Sequence, residues 1–361
     1  MKAMYLTDVT QAETDDMCGM RYWFRYKESG NGIVSTSTLP KQIIDEALHQ
    51  DLRVIAGMED ISFKTVEALI IEVLKGLSDS DKRDIRKMEL LYRRLGLVAA
   101  FALYVEPRIR ETFETIPIEE ELVLDAEPLW VMTYPDRLLR SRLNGDVVYR
   151  EYEMVPPGIT LDRWMQSWVY RVRLHVGLAA AKQAMGLAKA TGAKVTNIEF
   201  AQIMGMISGH HSYRDGRLVH PYVYGYENMQ TGSWQSHPPP AAEGGWIVKP
   251  TWEYPGGITE WAQLCGREVA NTQFPLSPLV RQNQHHLAGW ITRRIHRMRK
   301  LDGVTEVCKV NQDARNIHFE RHTENCKPAV GENCPYLSAC WLPALAKDPL
   351  IDEQYIPVVA P

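Results

Sequence analysis

Apolar side chains recur at helical spacing through the first third of the chain. Ile43, Ile44, Ala47 and Leu48 make one stripe, with His49 at its edge. Val66, Leu69, Ile70, Val73 and Leu74 make a second, and a longer helical stretch runs from about Asp81 to Phe113. Thr38 is placed to cap the first of these helices, Pro40 falls in its first turn, and Pro107 is expected to kink or split the last. The period then shortens to two. A strand opens at Pro117, Leu129–Thr133 continues a hairpin, and Tyr134, Pro135 and Asp136 leave a carboxylate at its end. A third strand from Gly145 to Val155 alternates, which puts Tyr149, Glu151 and Glu153 on one face and Val148, Arg150 and Tyr152 on the other. Two carboxylates on one face of a central strand need neutralising, and a divalent metal ion is the simplest source of that charge.

Pro156, Pro157 and Gly158 stop this strand, and a helix from about Thr160 sets Gln166 and Tyr170 four residues apart on one side. Trp164, Trp168, Val172 and Val176 suit packing on the sheet. Val195–Ile207 reads as a long strand with Arg217–Tyr226 as its partner, and Asn228–Gly245, rich in Gly, Ser and Pro, as a surface loop. In the basic stretch 282–301, Trp290, Ile291, Ile295 and Met298 recur at helical spacing. Its other side offers Arg293, Arg294, Arg297, Arg299 and Lys300 to phosphates.

The chain has 361 residues, 45% of them hydrophobic and 24% charged, which suits a globular protein with a sizeable core. A formal net charge of -4 excludes a bulk nucleic-acid binder but not a local basic groove. No run approaches the roughly 18 apolar residues of a membrane span, and no basic segment followed by an apolar one begins the chain. An intracellular, cytoplasmic location without membrane contact is the expectation. Six Cys in such a chain then point to metal or cluster ligation or to buried thiols rather than disulfides. His318, His322, Cys326, Cys334 and Cys340 crowd the C-terminal end, so a zinc site of three Cys and one His is open to them. Cys265 and Cys308 read as ordinary thiols.

Asp136 after a strand, Glu151 and Glu153 on the next, and Gln166 with Tyr170 on the following helix resemble, in order and spacing, the PD-(D/E)XK nuclease superfamily in its RecB-like branch. That resemblance implies a mixed α/β fold with a restriction-endonuclease-like central sheet flanked by helices. It implies Mg²⁺ or Mn²⁺ held by Asp136, Glu151 and His49, and a DNA strand positioned by Gln166 and Tyr170. The family's catalytic Lys position holds Glu153, which would orient water or bind a second ion, or else marks an inactive relative that only holds DNA or a partner. Lys182 is a candidate replacement.

Cys18, followed by basic and aromatic residues, and the Cys334-to-Cys340 spacing resemble iron–sulfur members of the branch, such as AddB-type and CRISPR-adaptation nucleases. These imply a [4Fe–4S] cluster on Cys18, Cys326, Cys334 and Cys340 that joins the two ends of the chain. The implied activity is processing of single-stranded or duplex DNA ends in recombination, repair or phage DNA metabolism, alongside a helicase or recombinase. The organisation expected is a single nuclease domain over 1–361. It comprises a helical part at 1–116, a catalytic sheet at 117–226, a loop-rich insertion at 227–260, and the basic helix with the Cys-rich end at 261–345. A zinc-stabilised scaffold protein is the rival.

Overall fold

The structure, a computed structural model, describes residues 4–27, 33–35, 39–59, 61–117, 121–155, 163–166, 171–190, 198–206, 213–214, 217–218, 224–235, 239, 245–250, 274–310, 317–319 and 355–357. Its helices are α1 (Val9–Met17), α2 (Gly19–Tyr26), α3 (Leu39–Gly57), α4 (Phe63–Lys75), α5 (Asp79–Arg83), α6 (Ile85–Ala100), α7 (Glu106–Thr112), α8 (Val172–Ala190), α9 (Gln284–Leu301) and α10 (Thr305–Val310). The strands that position the site are β1 (Tyr5–Asp8), β2 (Ile33–Ser35), β3 (Phe113–Ile116), β4 (Leu122–Ala126), β5 (Leu129–Thr133), β6 (Arg137–Ser141), β7 (Val147–Met154) and β8 (Ile198–Met206). Later come β9 (Tyr213–Arg214), β10 (Arg217–Leu218), β11 (Tyr224–Asn228), β12 (Trp234–Gln235), β13 (Trp246–Pro250), β14 (Val280–Arg281) and β15 (Tyr355–Pro357).

The fold is mixed α/β. A five-stranded sheet runs in the order β14-β8-β7-β6-β3, so the strand carrying Glu151 and Glu153 lies at its centre. β6 pairs antiparallel with β7, whereas β7 and β8 are parallel, as a crossover through α8 requires. Alternation along β6 and β7 divides the core. Leu139 and Tyr152 pack with Leu48, Leu52, Leu95 and Phe101 on the α3 and α6 side. Leu138, Val147 and Tyr149 pack with Val176, Leu178 and Trp290 on the α8 and α9 side. Gly177 on α8 is required by this packing, because a Cβ there would collide with the Tyr149 phenol. A second sheet, β1-β5-β4, joins the α8 side, with β1 parallel to β5.

Three sequence expectations change. Arg217–Tyr226 does not partner β8: within the described residues β8 lies between β7 and β14, and Tyr224–Asn228 pairs with β12 and β13 in a separate sheet. The stretch 228–245, read as a loop, contains β12. The helical run to Phe113 is broken by a π turn at Phe101–Val105, after which Pro107 sits harmlessly in the first turn of α7. The extra residue of that turn shifts the helix phase, and Glu106 just beyond it meets Arg137, 2.8 Å from Oε1 to Nη2, inside the core.

The basic helix also differs. Arg294 Nη1 donates to Asp15 Oδ2 at 2.6 Å and Arg297 Nη2 to Asp15 Oδ1 at 2.8 Å, while Trp290 Nε1 donates to Asp16 at 2.7 Å. Two of the five expected phosphate contacts, Arg294 and Arg297, are thus turned inward to bind α1, because Asp15 is buried and must be paired. Arg293, Arg299 and Lys300 are exposed.

Burial opposes the charge of Asp15, but hydrogen bonds and charge from Arg297 and Arg294 outweigh it and hold the carboxyl below its usual 3.8. A depressed carboxylate contributes stability above its unfolded pKa that is lost as pH falls through the folded one. Asp15→Asn should therefore lose about 3–5 kcal/mol at neutral pH. In urea titrations at several pH values, the gap from wild type should close as pH drops below 3.8.

Candidate functional site

Asp136 lies just before β6, one residue beyond the Arg137 and Arg150 pair that begins the β6–β7 ladder, so it falls beside Glu151. The Tyr152 N–H donates to Asp136 Oδ2 at 2.7 Å and fixes the carboxylate at the sheet end. From above, α3 supplies two cationic or ionisable side chains one helical turn apart. Arg53 Nη2 donates to Asp136 Oδ1 at 3.1 Å, and His49 Nδ1 stands 3.6 Å from the same oxygen. On β7 the Tyr149 hydroxyl donates to Glu151 Oε1. Arg173, near the start of α8, donates from Nη2 to Glu151 Oε2 at 3.1 Å and brings Nη1 to 3.7 Å from Glu153 Oε2. Asp136 and Glu151 are each about 1% exposed and Glu153 28%. A cleft of about 730 Å³ opens over the group, lined by Glu46, His49, Gln50, Arg53, Val54, Tyr134, Asp136 and Arg173.

The two buried acids sit in opposite environments. Burial alone would raise Asp136, but the attraction of His49 and of Arg173 and the Tyr152 N–H overcome it and hold the carboxyl low. For His49, burial favours the neutral ring, and Asp136 reverses this and raises its pKa. Burial pushes Glu151 up to about 7, with Arg173 opposing and Asp136 reinforcing the shift. The attraction of Glu151 is the leading reason that the Arg173 guanidinium is held more firmly protonated than usual.

His49, Asp136, Glu151 and Glu153, all singled out from the sequence, are thus gathered at one sheet end. Gln166 is exposed on a helical turn at 163–166. Tyr170 lies outside the described residues, as do Cys326, Cys334 and Cys340. Cys18 is a buried thiol at the start of α2, and Phe319 packs on Trp23 of the same helix at a ring separation of 4.8 Å. Lys182, the lysine that the resemblance offered to the site, instead donates from Nζ to Gln282 Oε1 at 3.0 Å.

Three contributors escaped the sequence reading, the first being Arg53, one helical turn beyond His49 on α3, a spacing that was the available signal. Arg173 continues the i, i+4, i+7 stripe begun by Gln166 and Tyr170, and that spacing was the available signal. Glu13 accepts the Arg173 backbone N–H at 3.0 Å, a contact across 160 residues with no local signature.

Carboxylate oxygens and an imidazole are donors suited to a hard divalent ion such as Mg²⁺ or Mn²⁺, so the chemistry of the set fits one. As arranged, among the described residues no three His, Cys, Asp or Glu side chains converge on one metal position. The local cation is instead the Arg173 guanidinium. No helix among the described residues is long and apolar enough to cross a membrane. No protein-family model matches the chain, and no curated protein matches it.

A carboxyl raised in the folded state keeps a proton that the unfolded chain releases. Ionising Glu151 therefore costs stability as pH climbs from 4.5 to about 7. Glu151→Gln should flatten the fall of melting temperature across that window relative to wild type. Thermal melts at half-unit pH steps check this.

Proposed function

We propose that the chain is a metal-dependent deoxyribonuclease of the PD-(D/E)XK type that degrades DNA from its ends. The observation that carries the reading is that His49 and Asp136 line an open cleft at one end of a mixed sheet, with Glu151 beside Asp136 in the register of β6 and β7. A divalent ion held by Asp136, Glu151 and His49 would polarise the phosphoryl oxygen and acidify an attacking water. The chain's own residues supply the rest. Arg53 and Arg173 line the cleft and offer forked donors to a phosphate. Glu153, the most exposed of the three carboxylates, would orient water or take its proton. Arg293, Arg299 and Lys300 supply exposed cations for the flanking backbone.

The preference for ends, and a setting in recombination, repair or phage DNA metabolism with a helicase or recombinase, rest on the resemblance of the motifs. A [4Fe–4S] cluster on Cys18, Cys326, Cys334 and Cys340 belongs to the same proposal. Its support is the approach of Phe319, seven residues before Cys326, to the helix that Cys18 begins. Anaerobically purified protein should then be brown and contain iron, whereas a zinc site would leave it colourless.

A second reading, a DNA- or partner-holding module without cleavage, is favoured by one observation. Arg173 already compensates the carboxylates that a catalytic ion would need.

The deciding experiment incubates linear and covalently closed DNA with the protein in Mg²⁺ or Mn²⁺, beside Asp136→Ala. Linear DNA should be degraded and closed circles spared. Asp136→Ala should slow degradation by on the order of a hundred- to a thousandfold, the value of several kcal/mol of lost charge stabilisation. Tight DNA binding without cleavage in either metal would leave the holding module as the reading.

A further inference from the structure

We propose that Arg173 is an exchangeable counter-ion: its guanidinium holds Glu151 and Glu153 until a divalent cation takes the carboxylates, and it then turns to a phosphate of the bound strand. The inference rests on the metal-dependent reading of the cleft. One guanidinium serves two acids that project from the same face of β7, at 3.1 Å to Glu151 but only 3.7 Å to Glu153. The first is a charge-assisted hydrogen bond, whereas the second exceeds hydrogen-bonding distance and is an ion pair alone. Among the described residues Arg173 Nε is buried with no hydrogen-bond partner, so the present seat leaves part of the fork unsatisfied there.

The side chain also has a route out. Arg173 lines the cleft together with His49 and Asp136. Its backbone is fixed by the N–H donated to Glu13, so movement is confined to the side chain. A guanidinium matches the paired oxygens of a phosphate as well as those of a carboxylate, whereas a divalent ion prefers the carboxylates. Exchange therefore satisfies both cations better than competition does. It gives Arg173 two opposed effects: it weakens metal binding, and it strengthens DNA binding only after the metal has entered.

The test uses the full chain and Mn²⁺ alone, with affinity read by electron paramagnetic resonance or calorimetry. Arg173→Gln should bind Mn²⁺ about tenfold tighter than wild type, or better. A short DNA oligomer in Ca²⁺ supplies the second arm. The variant should bind it more weakly than wild type when Ca²⁺ is present and equally when it is absent. Unchanged or weaker Mn²⁺ affinity in the variant would overturn the exchange while leaving the metal reading intact. An equal loss of DNA affinity with and without Ca²⁺ would overturn it too. If neither protein binds Mn²⁺, the metal reading fails and the exchange falls with it. Should Arg173→Gln not fold, Arg173→Met keeps the apolar stem without the charge; it should bind Mn²⁺ more tightly than wild type, and wild-type affinity would overturn the exchange equally.

Discussion

Negative charge buried at the end of β7 is the constraint around which this sheet end is built. Asp136 and Glu151 come together because β6 returns antiparallel along β7, and at that separation in a poorly solvated place they cannot both ionise freely. The fold resolves the conflict unequally. Asp136 receives a backbone N–H, Arg53 and His49, and it stays charged. Glu151 receives a phenol and a guanidinium shared with Glu153, and its carboxyl is pushed up to about 7. Two neighbouring acids with divergent proton affinities can divide acid and base roles between them. The same inequality leaves Glu151 as the position that gains most from an added cation.

Helix α1 links this sheet end to the far end of the chain. Two residues separate its functions: Glu13 accepts the N–H of Arg173, while Asp15 takes Arg294 and Arg297 of α9. Breaking the Asp15 pairs would strand two cations against a buried surface, so the grip on α9 is set by electrostatics as much as by the packing of Trp290. The cluster proposed for Cys18 and the C-terminal cysteines would tie the same joint one helix further on. Any loosening there lies two residues along α1 from Glu13, whose carboxylate accepts the Arg173 N–H.

What could be read from the sequence was governed by period. Alternation placed Tyr149, Glu151 and Glu153 on one face of a central strand, and the structure has Tyr149 bonded to Glu151 on β7, the middle of five strands. The stripe of α3 placed His49 at the edge of an apolar face, which is where the helix meets Asp136. Period says nothing of what lies opposite. Arg294 and Arg297 looked like solvent-facing cations because their partner, Asp15, is 279 and 282 residues away. The pairing of β8 was missed for a related reason: parallel strands are joined by a crossover and leave no turn between them to read. The π turn before Glu106 was hidden because Pro107 a few residues on offered a sufficient local explanation for a break.

Glu153 adds a second acid to the face of β7 that already carries Glu151, and the site must accommodate it. A lysine there would lie on the same strand face as Glu151 and neutralise it from two residues away, permanently and at fixed geometry. With Glu153 the strand face carries two negative charges, and the compensating cation comes from another element, at the end of a longer and forked side chain on α8. A cation on the strand is part of the floor of the site, whereas a cation on the helix can be present or absent while the strand stays still. An acid at position 153 therefore leaves the compensating positive charge on a side chain lining the cleft and not on the rigid sheet. Under the proposed exchange, that placement couples the charge state of the acidic face to what occupies the cleft, a coupling that a strand lysine could not provide.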